Sequence, residues 1–140
     1  MTDIENFVVD SVYRKLAAAH PGISVHSEHL NIPPAFPCVM IYESSNVTYE
    51  RTWDELGEHH AAIRFTVEIY TNDLNGKKRA AKQILEEVDA AMLGMGFIRS
   101  MKQYSFGTNE SSLFAVTAGY QGIAGESYSG HENEIVIYRR

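Results

Sequence analysis

Between Glu58 and Thr71 the side chains alternate with a period of two. Ala61, Ile63, Phe65, Val67 and Ile69 share one parity, and His60, Ala62, Arg64, Thr66, Glu68 and Tyr70 share the other. Only an extended strand repeats in this way, because its successive side chains leave on opposite faces. The chain must therefore build a sheet with one face in a core and the other turned toward something polar. A second stretch, Phe36 to Glu43, behaves differently. Val39 and Ile41 lie on one of its faces and Cys38, Met40 and Tyr42 on the other, so both faces are apolar. A strand of that kind is covered on both sides. The cover is either a helix and a further layer or a neighbouring subunit, which makes Met40 and Tyr42 candidate subunit contacts.

The remaining elements follow from periodicity and stop signals. Ile4, Phe7, Val8, Val12 and Leu16 fall at helical spacing, which predicts a helix from Asp3 to about His20, ended by Pro21-Gly22. A short strand is expected at Ile23–Glu28, and Ser44 to Gly57 reads as a long polar connection. Ala81, Ile84, Leu85, Val88, Ala91 and Met92 predict a second helix over Lys77–Leu93, stopped by Gly94-Met95-Gly96. Phe97–Phe106 and Ser112–Ala124 read as a hairpin through Gly107-Thr108-Asn109, followed by a loop at Gly125–Asn133 and a strand at Glu134–Tyr138. The order α-β-β-β-α-β-β-β predicts a single α+β domain over residues 1–140. Its sheet should be mainly antiparallel, with the two helices packed on one face.

Composition narrows the function. With 44% hydrophobic residues in 140, the chain has the side chains for a real core. No apolar run approaches the roughly 20 residues of a membrane span. The opening MTDIENFVVD is acidic and amphipathic, unlike a signal or transit peptide. A single cysteine, Cys38, excludes an internal disulfide framework. Eighteen acidic residues against twelve basic ones give a net charge of −6, which argues against a dedicated nucleic-acid binder.

No catalytic, metal or cofactor constellation emerges. His26 and His29, three apart on an extended segment, point to opposite faces, as do the adjacent His59 and His60. No cysteine or carboxylate cluster completes either pair into a zinc site. Cys38 lies in the most apolar strand with nothing basic near it in sequence, so it reads as a buried thiol. Gly94-Met95-Gly96 follows a helix and precedes a strand, the reverse of a phosphate-binding turn.

Two features point to surfaces instead. Lys77, Lys78 and Arg79 open a helix, where the dipole disfavours cations; either three flexible side chains are solvated there at small cost, or the corner faces an acidic partner such as a neighbouring copy of the chain. Tyr49, Arg51, Trp53 and Asp54 put residue types enriched at interface hot spots into a polar connection, which is a contact surface unless Trp53 folds back onto the core. With Tyr128 and His131 in the later loop, they are the candidate partner contacts.

Several short stretches together resemble a known family. Phe36-Pro37-Cys38-Val39-Met40-Ile41-Tyr42-Glu43 looks like its opening strand. Glu58-His59-His60-Ala61 leads into the alternating strand that ends Glu68-Ile69-Tyr70-Thr71-Asn72. Gly76-Lys77-Lys78 starts the helix that closes with Met92-Leu93-Gly94-Met95-Gly96-Phe97. This succession, over roughly Phe36 to Tyr120 and the short last strand, resembles the tail terminator, or head–tail joining, proteins of long-tailed bacteriophages. These are also filed as minor capsid or tail-completion proteins. Ala118-Gly119-Tyr120-Gln121-Gly122 departs from the more basic strand that the family would have there.

The resemblance implies a small α+β subunit of the virion neck, assembled in the host cytoplasm into a ring, commonly of six. Such a ring caps the tail tube, stops its polymerisation and meets a head-completion protein. DNA passes through the channel without specific binding. The family brings no catalytic residue and no cofactor. Loops at Ser44–Gly57, Gly107–Ser111 and Gly125–Asn133 would form the two ring faces. The competing expectations are another neck component, such as a head-closure or connector protein, and a small-ligand-binding α+β domain.

Overall fold

The computed structural model describes residues 3–49, 60–72, 76–106, 113–129 and 132–138. Along the chain run α1 (Glu5–Ala19), β1 (Ser24–His26), β2 (Cys38–Thr48), β3 (His60–Thr71), α2 (Lys77–Met95), β4 (Ile98–Phe106), β5 (Phe114–Ser129) and β6 (Glu132–Tyr138). The strands form one sheet in the order β1-β2-β3-β5-β4, with β6 also paired to β5. Every pairing is antiparallel except β1 with β2. The fold is α+β, with both helices on one face.

The period-two pattern of β3 sets that face. Ile63, Phe65, Val67 and Ile69 are wholly buried and join one apolar cluster with Val8, Val12 and Leu16 of α1 and Ile84, Val88 and Met92 of α2. Val116, Ala118 and Tyr120 of β5 and Phe97 complete it. Phe65 and Phe97 meet edge to face, their ring centres 5.6 Å apart, a favoured aromatic geometry. Burying each large side chain contributes roughly 1.5–3 kcal/mol.

Two stretches read as loops are strand instead. β2 does not stop at Glu43. It shifts register between Glu43 and Ser45 and continues against β3 to Thr48, so Ser44–Thr48 is not part of a loop. Beside the short β1, this half of β2 is the sheet's edge, where polar side chains are tolerated because both faces reach water. Likewise Gly125–Ser129 continues β5 and pairs with Glu132–Val136 of β6. α2 runs through Gly94 and ends at Gly96, whose φ of 114° is left-handed. Gly96 N–H and Phe97 N–H close the helix onto Leu93 and Met92 carbonyls, each at 3.1 Å.

The second apolar face of β2 is covered by the chain itself. Residues 27–37 leave β1 and cross the face opposite the helices, where Leu30 N–H donates to Met40 Sδ at 3.3 Å. Met40 is wholly buried. As a candidate subunit contact it is therefore corrected: within the folded chain it has no surface to offer a neighbour. Tyr42 is half-buried.

β4 and β6 lie end to end along the same edge of β5. Residues 123–125 of β5 pair with β3 on one side and with β6 on the other, while β4 takes 114–121. Gly96 and Gly122 make room for the junction. A Cβ on Gly96 would overlap the Ile137 carbonyl, and one on Gly122 would sit 3.0 Å from Ile137 Cγ2.

Candidate functional site

The most organised polar group lies on the sheet face away from the helices and centres on Glu68. Its Oε2 accepts from His29 Nδ1–H at 2.7 Å and from the Tyr42 hydroxyl at 3.1 Å, and its Oε1 accepts from the Tyr70 hydroxyl at 3.1 Å. Three donors come from the 27–37 segment, β2 and β3, so one carboxylate ties the segment to the sheet. A carboxylate only accepts, which puts the His29 proton on Nδ1. Burial, then the Glu68 charge and hydrogen bond, pushes the Tyr70 phenol up to about 12. The same causes in the same order raise Tyr42. Both phenols stay protonated near neutrality and act as donors. The cluster is a latch: it fixes a segment and offers no nucleophile beside a base.

On the helix side a second polar anchor joins α2 to the sheet. The buried Tyr120 hydroxyl donates to Asp89 Oδ1 at 2.9 Å, and Arg99 pairs with the same oxygen at 3.0 Å. Burial first, then that hydrogen bond, raises the Tyr120 phenol far above its ordinary value. Beside this anchor a groove of about 220 Å³ runs between α2 and β4, lined by Lys82, Leu85, Glu86, Asp89, Arg99 and Lys102.

This edge is basic. Six of the chain's twelve cationic residues sit on α2 and β4: Lys77, Lys78, Arg79, Lys82, Arg99 and Lys102. Lys78 and Lys102 stand over the Tyr104 ring, with Nζ 5.2 and 5.0 Å from its centre. The Lys102 ammonium, followed by the charges of Lys82 and Lys78, holds the Tyr104 phenol below its ordinary value. The neutral hydroxyl itself has no partner within hydrogen-bond geometry, so Lys102 matters to the ionised form. Lys78, Lys82 and Lys102 have no carboxylate within ion-pair distance among the described residues.

The residues singled out by sequence do not gather into one site. Lys77 is half-buried while Lys78 and Arg79 are exposed on α2. Tyr49 follows β2, its N–H donating to the His60 carbonyl at 2.9 Å. Tyr128 lies in β5, opposite Asn133, so it belongs to a strand pair and not to a loop. Arg51, Trp53, Asp54 and His131 lie outside the described residues, as does Gly107–Ser111. His26 and His29 have separate duties, His26 bonding Ser24 Oγ at 2.8 Å. Cys38 is buried, and burial pushes its thiol up, eased by a hydrogen bond with Ser24.

What sequence reasoning missed is the Glu68 latch. Its β3 members share the polar parity, a usable signal, but His29 comes from a connection without period. Among the described residues no group of three His, Cys, Asp or Glu side chains is placed to hold a metal ion. No described helix is long and apolar enough to cross a membrane.

One further feature extends the sheet. β3 ends opposite Gly125 of β5, yet β5 and β6 stay paired for Glu126–Ser129 against Glu132–Ile135. The two strands thus run on as a ribbon about 13 Å past the last β3 pair, at roughly 3.4 Å per residue. Compared with known proteins, the chain matches no family model and no curated protein.

Proposed function

We propose that this chain is a structural subunit of a phage neck. Copies form a ring that caps the tail tube, ends its polymerisation and joins the tail to the head. The observation that carries the reading is the β5–β6 ribbon. Among the described residues no third strand flanks Glu126–Ser129 or Glu132–Ile135, and a two-stranded ribbon is at best marginally stable by itself in water. A neighbouring surface would stabilise it, and in this reading an identical copy supplies one. The resemblance of Phe36–Tyr120 to tail terminators supports the same assignment and names the tube and a head-completion protein as the unlike neighbours. The working parts are shape and edges, with no catalytic step. An acidic channel, in keeping with the charge of −6, would let DNA slide past without sticking.

Electron microscopy of particles assembled without this protein tests the role. Over-long tubes are the expected result. Tubes of normal length that fail to join heads would reassign the chain to another neck component. A solitary subunit carrying a bound metabolite would overturn the structural reading altogether.

A further inference from the structure

The two lateral edges of the molecule differ in the sign of their net charge: α2 and β4 carry six cations against Glu86, Glu87 and Asp89, whereas Asp3, α1 and β2 carry four carboxylates against Arg14 and Lys15. One edge, built from α2 and β4, presents Lys78, Lys82 and Lys102, all exposed and none ion-paired among the described residues. The other is built from α1 and the half of β2 that runs beyond β1. There Glu5 Oε2 accepts the Glu43 backbone N–H at 2.9 Å, beside the register shift of β2. Asp3 Oδ1 accepts the Glu5 N–H at 3.2 Å, which draws a third carboxylate to the same place. Burial first, then the charges of Glu5 and Asp3, raises the Glu43 carboxyl, with only a hydrogen bond from Asn46 opposing them. No cation among the described residues relieves this crowding.

We infer that copies of this chain join head to tail, the lysine edge of α2 and β4 on one copy seating against the acidic edge of α1 and β2 on the next. On a chain of net charge −6 most ways of bringing two copies together are repulsive. This pairing brings unlike charges together, and it leaves a pair of copies with one free edge of each sign. Contacts between unlike patches are heterologous, and they close into rings when the rotation allows.

Both edge strands are interrupted, between Glu43 and Ser45 in β2 and between Arg99 and Met101 in β4. Such shifts blunt an edge against strand addition, so the contact is made by side chains and not by a continuous sheet. Apolar area is at hand for it: Val47 on β2 is 59% exposed, and Ile98 and Met101 on β4 are 38% and 40% exposed. Charge supplies steering and register while these supply burial.

The inference rests on the ring reading only in taking self-association as the working state, and its test is separate. Sedimentation velocity on the full chain compares about 0.1 M with about 1 M salt, where the screening length falls from roughly 10 to 3 Å. Wild type should associate at low salt and dissociate at high salt. Lys78→Glu/Lys82→Glu/Lys102→Glu and, separately, Asp3→Lys/Glu43→Lys should each weaken association by about 100-fold or more. An equimolar mixture of the two should restore it, because each altered edge then meets an altered partner. Circular dichroism confirms that each variant is folded, and the salt dependence of wild type stands independently of both.

Association indifferent to salt and to both reversals would overturn the edge pairing while leaving the capping role intact. So would a mixture that stays as weak as its components. A wild type monomeric at every concentration would also overturn it. Normal-length tubes without the protein would instead refute the capping role and leave the edge pairing standing.

Discussion

On the helix side of the sheet, Ile63, Phe65, Val67 and Ile69 of β3 are sealed by apolar side chains from two helices. On the other side, the intervening residues Glu68 and Tyr70 help hold down a connecting segment by hydrogen bonds. Both sides exclude water from the first half of β2, where Val39 and Met40 are equally buried. They differ in what opens them. Apolar packing has no direction, whereas a carboxylate with three donors is directional and answers to single-atom changes. Hence the helix side should set global stability, and the latch side should open locally well before the molecule unfolds.

The largest expected effect is on the helix side. Phe65→Ala removes a wholly buried ring and its contact with Phe97, and should cost about 3–5 kcal/mol in urea unfolding. A cost below about 1 kcal/mol would erase the contrast between the faces. Next comes Tyr120→Phe, which keeps the ring but removes a donor to the charged Asp89. About 1.5–2 kcal/mol is expected from the loss of a hydrogen bond to a charged partner, again in equilibrium unfolding.

Glu68→Gln should cost only about 1 kcal/mol globally. Its signature is local. Cys38 lies two residues from Met40 on the covered face and is wholly buried, so native-state thiol labelling should be slow in wild type. In the variant it should be roughly fivefold faster, the ratio that corresponds to about 1 kcal/mol of easier opening. Labelling that changes only in step with global unfolding would show that the segment is not an independent unit.

The smallest effect is a pH slope. Tyr42, Tyr70 and Tyr120 are all raised above 10 in the folded chain. The unfolded chain therefore loses these protons first, and stability falls as pH rises. The contribution is complete below pH 10 and fades up to about 12 for Tyr70. Urea midpoints at about pH 9 and 11 should show the fall. Glu68→Gln should make it shallower, because the Glu68 charge drives part of the shift at two of the three phenols.

Much of the fold was legible because periodicity reports burial directly. The β3 alternation and the stripes Val8-Val12-Leu16 and Ile84-Val88-Met92 each name a core face, and the element order then implies the layers. The second halves of β2 and β5 were not legible. Ser44-Ser45-Asn46 and Gly125-Glu126-Ser127 have loop composition, and what makes them strands is pairing with β3 and β6, a non-local fact. The two apolar faces of β2 imply a cover on each side, but periodicity does not distinguish a neighbour from the chain's own residues 27–37, which reach Met40 only through the tertiary fold. For the candidate surfaces, Lys77–Arg79 was visible as a run, whereas Lys82, Arg99 and Lys102 join it only once α2 and β4 lie side by side.

The junction at Gly96 has a further implication. The same α-carbon that lets α2 reverse into β4 also leaves space for the Ile137 carbonyl. Any larger residue there would act as two lesions at once, fraying a helix and unseating a strand whose sequence lies far away. The position where the last strand docks is therefore unable to drift without the helix feeling it, and the β5–β6 ribbon inherits its footing from a turn that looks merely local.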